Sequence, residues 1–396
     1  MRGYVELFKT FPLIRSLSLI QLIAYFVTWF SNVAIYTLLL QVGASPFTIS
    51  LVVAIHFVPT ILQAPFSGAI VDRTRPKKLM AVLLIVECLS TLMLLNITTK
   101  EDIPLLMLLV FLRMGASGLF FATLMSLLPK IISGRNLQKA NEIHSIIWSL
   151  TFSLGMASGG GVVHLFGVYV AFVIDGLFFV VAFLLLVRLE FDTNISKTNL
   201  SFFGSIKEGI EYLRRHKLII HLMILHSLVG FTVFDTLVTL LADFYYREVI
   251  SIPLAIGITN STRAVGLMVG PLIIGSLINK ERLLLLLLFQ GAAIILWGFV
   301  QKDFHMGLAG MFLVGFGTTT LWSYTYALLQ ERVAPRFLGR VIAYNDMLFM
   351  SVTAIVTIFI GLSAKIIGLE NISYILGVAF LVNGAYYRLV VYPKIE

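Results

Sequence analysis

The sequence predicts an all-α polytopic membrane protein, with twelve transmembrane helices in two pseudo-symmetric six-helix bundles. Three observations carry this. Apolar runs long enough to cross a bilayer, which takes about 20 residues of helix, recur twelve times between polar breaks. Only 12% of the 396 residues are charged and 59% are hydrophobic, against roughly 25% charged in soluble chains, and the mean hydropathy is +0.96. The basic residues are also sorted to one side of the runs.

In chain order the predicted spans are 13–40, 47–71, 79–97, 104–128, 141–164, 168–189, 218–242, 252–278, 283–300, 304–329, 340–364 and 371–391. The first run, from Leu13, is longer than the apolar region of a cleavable leader and is expected to stay as a span. Pro46, Asp72 to Lys78, Lys100-Glu101-Asp102, Lys130 to Lys139, Asp243 to Glu248 and Arg332 to Arg340 break the runs. With both termini inside, only Lys100, Arg247, Lys302 and Lys365 lie outside, and Arg113 and Arg263 lie within spans. The other 23 of the 29 cations face inward, the bias of cytoplasmic loops. Both termini are therefore expected in the cytoplasm, the chain being integral to an inner or plasma membrane. The net charge of +9 is absorbed by those loops, so no nucleic-acid partner is expected. The single cysteine, Cys88, excludes an intramolecular disulfide.

The longest inner loop separates six spans from six. This predicts bundles over 1–190 and 218–396 joined by a cytoplasmic linker over 191–217. Phe202, Phe203, Ile206, Ile210 and Leu213 alternate there with Lys207, Glu208, Arg214 and Arg215. That spacing fits an amphipathic helix on the membrane face, with a solvated linker as the alternative.

Between the second and third runs stands Gly68-Ala69-Ile70-Val71-Asp72-Arg73-Thr74-Arg75-Pro76-Lys77-Lys78. It resembles the loop motif between helices two and three of major facilitator superfamily transporters, with Arg75 where glycine is usual and Pro76 where arginine is usual. The second half carries a worn copy, Gly270-Pro271-Leu272-Ile273-Ile274-Gly275 leading to Asn279-Lys280-Glu281-Arg282, without the acid. Gly68, Asp72 and Arg73 read either as a solvated hairpin or as half of a conformational latch. In the latch, Asp72 meets Arg340 and the free amides at the start of the eleventh helix.

A charge inside a span costs several kcal/mol unless it faces protein or water. The in-span polar set is His56, Glu87, Arg113, Asp175, Asp235, Arg263 and Asp346. Arg113-Met114-Gly115 resembles the family's fourth-helix motif, which implies a place near the central cavity and a part in proton coupling; the alternative is an arginine that only holds helices together. The resemblance also implies that the first, fourth, seventh and tenth helices line the cavity. Arg113 and Asp235 are therefore expected to face one space and act together, unless Asp235 merely hydrogen-bonds Thr232 or Thr239. Glu87 and Asp175 fall on helices that are usually peripheral in the family, and read as packing acids or as alternative proton sites. Arg263 would neutralise one of the acids or bind an anionic substrate. His56 reads as a packing residue.

Gly155 and Gly159 in the fifth run allow close helix approach. They resemble the glycine-rich fifth-helix motif of exporters, without its Gly-Pro pair. Gly134 to Asn141, Ala171 to Gly176 and Arg336 to Val341 are similar to the drug:proton antiporter branch that includes macrolide efflux proteins and an enterobactin exporter. Tyr25, Trp29, Asn32 and Tyr36 in the first run, with Trp322 and Tyr326 in the tenth, are the candidate substrate cavity, suited to bulky amphipathic compounds. No nucleotide-binding loop, metal cluster or nucleophile constellation is seen in the sequence, so neither enzymatic chemistry nor a cofactor is expected.

The expected function is secondary active transport by a monomer in the lipid bilayer: proton-coupled export of amphipathic, drug-like or siderophore-like small molecules by alternating access. The alternatives are a facilitated or ion-coupled transporter of a specific metabolite or lysolipid, and a transport-inactive sensor of the same fold.

Overall fold

The computed structural model describes residues 2–191 and 202–395. Within them lie twelve helices long and apolar enough to cross a membrane, and no strand. We call them spans 1 to 12: Pro12–Gln41, Pro46–Ser67, Pro76–Asn96, Lys100–Ile131, Lys139–Phe166, Val168–Arg188, Lys217–Tyr246, Ile252–Leu277, Leu283–Val300, Phe304–Arg332, Leu338–Ile367 and Leu369–Ile395.

Local chemistry sets their ends. Pro12, Pro46 and Pro76 each stand in the first turn of a helix, where the missing N–H costs nothing. Ser45 and Asp303 cap helix starts by accepting from Thr48 N (3.1 Å) and Met306 N (2.8 Å). Spans 5 and 6 join through Gly167 at φ 84°, and spans 11 and 12 through Gly368 at φ 80°. These are matching positions in the two halves, and a left-handed backbone suits glycine there.

Four local features depart from the sequence reading. A separate helix, Arg2–Thr10, precedes span 1. The loop between spans 2 and 3 is shorter than the charged run, because Asp72 and Arg73 complete the helix Val58–Arg73 and Pro76 already opens the next. Span 7 is discontinuous, running as helix Lys217–Ser227, a 3-10 turn Leu228–Thr232, helix Asp235–Leu241 and a π turn Ala242–Tyr246. No proline causes this break. At Gly230 the backbone approaches span 11 so closely that a Cβ would stand 2.6 Å from Thr353 Oγ1 and 3.2 Å from Phe349 O. Span 2 also breaks, after Ile55, where Pro59 cannot donate to the Ile55 carbonyl.

The chain forms two compact units. Unit 1 is Met1–Gly43 with Pro65–Asn199, and unit 2 is Ala44–Ala64 with Leu200–Glu396. Ala44–Ala64 lies within 1–190 in sequence yet packs with unit 2. Helix Pro46–Ile55 runs so close to span 11 that a Cβ on Gly361 would stand 2.7 Å from Pro46 O and collide with Ser50. In unit 1, Leu17 and Ile20 of span 1, Leu84 of span 3, Leu124 of span 4 and Phe179 of span 6 share one buried core. Lipid tails are as apolar as these side chains, so packing and close backbone approach hold the helices together. A Cβ on Gly155 would stand 2.9 Å from Phe26 O, and one on Gly159 would collide with Phe30 O. These two glycines therefore let span 5 lie directly on span 1.

Candidate functional site

Unit 1 contains a buried cluster of one cation and two acids. Arg113 on span 4, Asp175 on span 6 and Glu87 on span 3 are each at most 1% exposed. Arg113 Nη2 lies 3.4 Å from Asp175 Oδ2. The same nitrogen donates to Ser31 Oγ (2.5 Å), Val27 O (3.3 Å) and Thr28 O (3.4 Å) of span 1. Glu87 is coupled electrostatically to both Arg113 and Asp175. Hydrogen bonding is incomplete: Arg113 Nε and Nη1 and both Glu87 oxygens are buried without a partner among the described residues, while Ser31 and Thr91 stand by the Asp175 carboxylate.

Unit 2 holds a second charged pair at the break in span 7. Arg263 of span 8 donates through Nη2 to Thr232 O at 2.7 Å. It thereby satisfies a carbonyl in the interrupted stretch and lies 5.7 Å from the centre of the Phe234 ring. Asp235 opens the following half-helix and interacts with the Arg263 charge. Within its own unit Arg113 has Asp175 and Glu87 as charge partners, and Arg263 has Asp235. A guanidinium sealed from water needs compensation from helices packed against its own. For Arg113 the compensation comes from side chains and carbonyls of spans 1, 3 and 6.

The aromatic candidates divide. Asn32 and Tyr36 are buried in the packing of span 1. Tyr25 is buried too, edge-on to His144 at 5.9 Å, and Trp29 packs on Phe152 (4.6 Å) and Trp148 (5.9 Å) of span 5. Trp322 and Tyr326 stack with centroids 4.8 Å apart and planes 15° apart, and Trp322 is 39% exposed. His226 of span 7, which sequence reasoning passed over, packs against both rings.

The side chains at Gly68 and Asp72 lie outside the described residues, while Arg73 is exposed. Arg340 has an acid of its own: its Nη1 donates to Glu208 Oε2 at 2.9 Å, and Arg336 stands 3.7 Å from the same oxygen. Glu208 belongs to helix Phe202–Arg215 of the linker. There Tyr212 stacks on Phe337 (4.3 Å) and accepts from Ala334 N (3.0 Å). Lys77 closes the end of span 6 by donating to Val187 O (3.0 Å) and Leu189 O (2.6 Å), the favoured place for a cation at a helix C-terminus.

The family model described as Major Facilitator Superfamily matches residues 17–289, well over half of the sequence. The chain belongs to the Major Facilitator Superfamily. Among curated members, Macrolide efflux protein A of Streptococcus pyogenes is 23% identical over 352 residues, 86% of each chain. Macrolide efflux protein A of Enterococcus faecalis is 24% identical over 297 residues, 72% of this chain and 91% of that one. The fold is shared with solved facilitators. A bacterial homologue of the human lysosomal transporter Spinster superposes with TM-score 0.79 at 12% identity over 97% of both chains. A D-xylose-proton symporter does so with TM-score 0.75 at 11% identity, over 96% of this chain and 98% of that one.

In this facilitator the charged set is legible as residue types, but its pairing is not. Glu87 and Asp175 are 88 residues apart, and Arg113 meets them only because span 3 packs against both span 4 and span 6. The one available signal was burial cost: three ionisable residues in three spans must find one another or water.

Proposed function

We propose that this facilitator is a proton-coupled exporter of amphipathic small molecules, working by alternating access of its two units. The observation that carries the reading is the charge count of the buried cluster: two carboxylates, Glu87 and Asp175, share one guanidinium, Arg113. With both acids ionised the cluster holds one uncompensated negative charge in a dry interior, which is costly. One bound proton makes it neutral. A site that is neutral with a proton and strained without it can tie proton release to a change of conformation.

The Asp235–Arg263 pair is already balanced one to one, and we assign it to holding the break in span 7. Discontinuous helices border substrate sites in secondary transporters, so the break supports a substrate path along unit 2. The printed names of the relatives, macrolide efflux proteins, support export and a bulky amphipathic cargo of the macrolide kind. The one-sided cations support cytoplasmic termini in a plasma or inner membrane, with the chain acting as a monomer. Asp72 remains proposed as a latch residue on the inner face.

The test is uptake of erythromycin into inside-out vesicles with an acid lumen. The reading expects accumulation that collapses with the gradient, and Glu87→Gln that abolishes gradient-driven uptake while preserving substrate counterflow. Uptake indifferent to the gradient in the unaltered protein, or full coupling in both Glu87→Gln and Asp175→Asn, refutes it.

A further inference from the structure

Each buried acid considered so far has an arginine beside it. The half-buried Asp346, in span 11, does not. No described cation pairs with it, and its recorded side-chain hydrogen bond is a long one of 3.4 Å, from the neighbouring Asn345 Nδ2. A carboxylate two turns inside a membrane-spanning helix without a protein counter-ion calls for a cation from elsewhere.

Its surroundings suit an organic cation. Asp346 lies beside Tyr326, close enough for the two to interact electrostatically. Tyr326 is stacked on Trp322, whose exposed indole surface is free to receive a ligand. His226 packs against Trp322 (5.5 Å), Tyr326 (5.2 Å) and Phe349 (5.7 Å), while its Nδ1 pairs with Thr325 Oγ1 at 2.9 Å. His226 Nε2 and Asn345 Oδ1 are fully buried without partners among the described residues.

These groups share one level of unit 2. Asp346 lies eight residues after Leu338, His226 nine after Lys217 and Trp322 ten before Arg332. At 1.5 Å per residue each is about 12–15 Å from its helix end. By connectivity the three ends lie on the same side of the membrane.

We infer that Asp346, Trp322 and Tyr326 form a subsite for the protonated amine of an amphipathic substrate. The ammonium sits between the carboxylate and the stacked rings, whose electron-rich faces attract a cation. The apolar body of the substrate lies over the exposed indole. His226 is a positioning residue, bracing Trp322 and Tyr326 from behind. The inference rests on the exporter reading and narrows its cargo to cationic amphiphiles.

Equilibrium binding to the purified full chain in lipid nanodiscs tests it with two probes. Tetraphenylphosphonium carries a permanent charge and no ionisable proton; triphenylphosphine oxide is a neutral relative. The cation is expected to bind, and Asp346→Asn to weaken it roughly tenfold or more, as fits a charge contact in a partly buried site. Asp346→Glu retains most of the affinity, and Trp322→Leu loses about three- to thirtyfold. Neutral-probe binding stays unchanged in Asp346→Asn, which shows that the variant is folded.

Cation affinity unchanged in both Asp346→Asn and Trp322→Leu overturns the subsite. So does an equal loss of both probes in Asp346→Asn. Loss of gradient-driven flux in Asp346→Asn at unaltered cation affinity also overturns it, making Asp346 a proton site instead. The exporter reading fails separately: it falls if flux in the unaltered protein ignores the pH gradient, even where Asp346 still governs cation binding.

Discussion

Removing Arg113 should cost far more than removing either acid beside it, because the cluster has two anions and one cation. In Arg113→Met the apolar volume is largely kept, but Asp175 and Glu87 are left facing each other at 0% and 1% exposure with no cation. Stripping one partner from a buried pair costs about 3–5 kcal/mol. The lost donors to Val27 O, Thr28 O and Ser31 Oγ add little, since Ser31 Oγ also donates to Val27 O at 2.8 Å. In Asp175→Asn or Glu87→Gln the remaining acid still balances Arg113 one to one. Each should therefore cost within about 1–2 kcal/mol, the scale of a single altered hydrogen bond. The triple variant Arg113→Met, Glu87→Gln, Asp175→Asn buries no charge and should recover much of the Arg113→Met loss, a strong departure from additivity. The assay is reversible SDS-induced unfolding of the reconstituted protein, followed by tryptophan fluorescence. If the three single variants cost the same, or if the triple variant falls at the sum of the singles, the two-to-one charge argument is wrong.

Three further outcomes follow from the geometry. Gly159→Ala drives a methyl into the Phe30 carbonyl and should lose about 1–3 kcal/mol by overpacking in the same unfolding assay, whereas Gly161→Ala, with open space at its Cβ, should be neutral. Glu208→Arg replaces an attraction to Arg336 and Arg340 with repulsion. Global stability should move by no more than about 1 kcal/mol, as for exposed pairs, while trypsin cleavage after Arg214 and Arg215 accelerates. Asp102 accepts from Thr98 N (3.0 Å) and Thr99 N (2.9 Å); Asp102→Ala removes the acceptor of both, so hydrogen exchange at Thr98 and Thr99, corrected for intrinsic rates, should accelerate severalfold.

Much of the fold was legible in the amino-acid order, because crossing a bilayer is a local requirement. About 20 apolar residues, a proline or a charge at each end, and cations gathered on one side depend on neighbours along the chain and little else. Gly155 and Gly159 were legible for the same reason, since small residues four apart share a helix face. The in-span charges were legible as a set, because their cost is paid residue by residue.

Which charge meets which was not, because pairing depends on how each helix is rotated and which helices adjoin it. Arg113 finds Asp175 and Glu87 because span 3 packs against both span 4 and span 6 in unit 1. The break in span 7 carries no proline to announce it; close approach of Gly230 to span 11 accompanies it, and Arg263 stabilises it by taking the Thr232 carbonyl. Arg340 is held by Glu208, 132 residues away in sequence. Ala44–Ala64 packs with unit 2 because Gly361 leaves room for helix Pro46–Ile55 against span 11. Span positions follow from transfer energies that add along the chain; partnerships follow from close packing between segments far apart in it, and only the tertiary structure decides those.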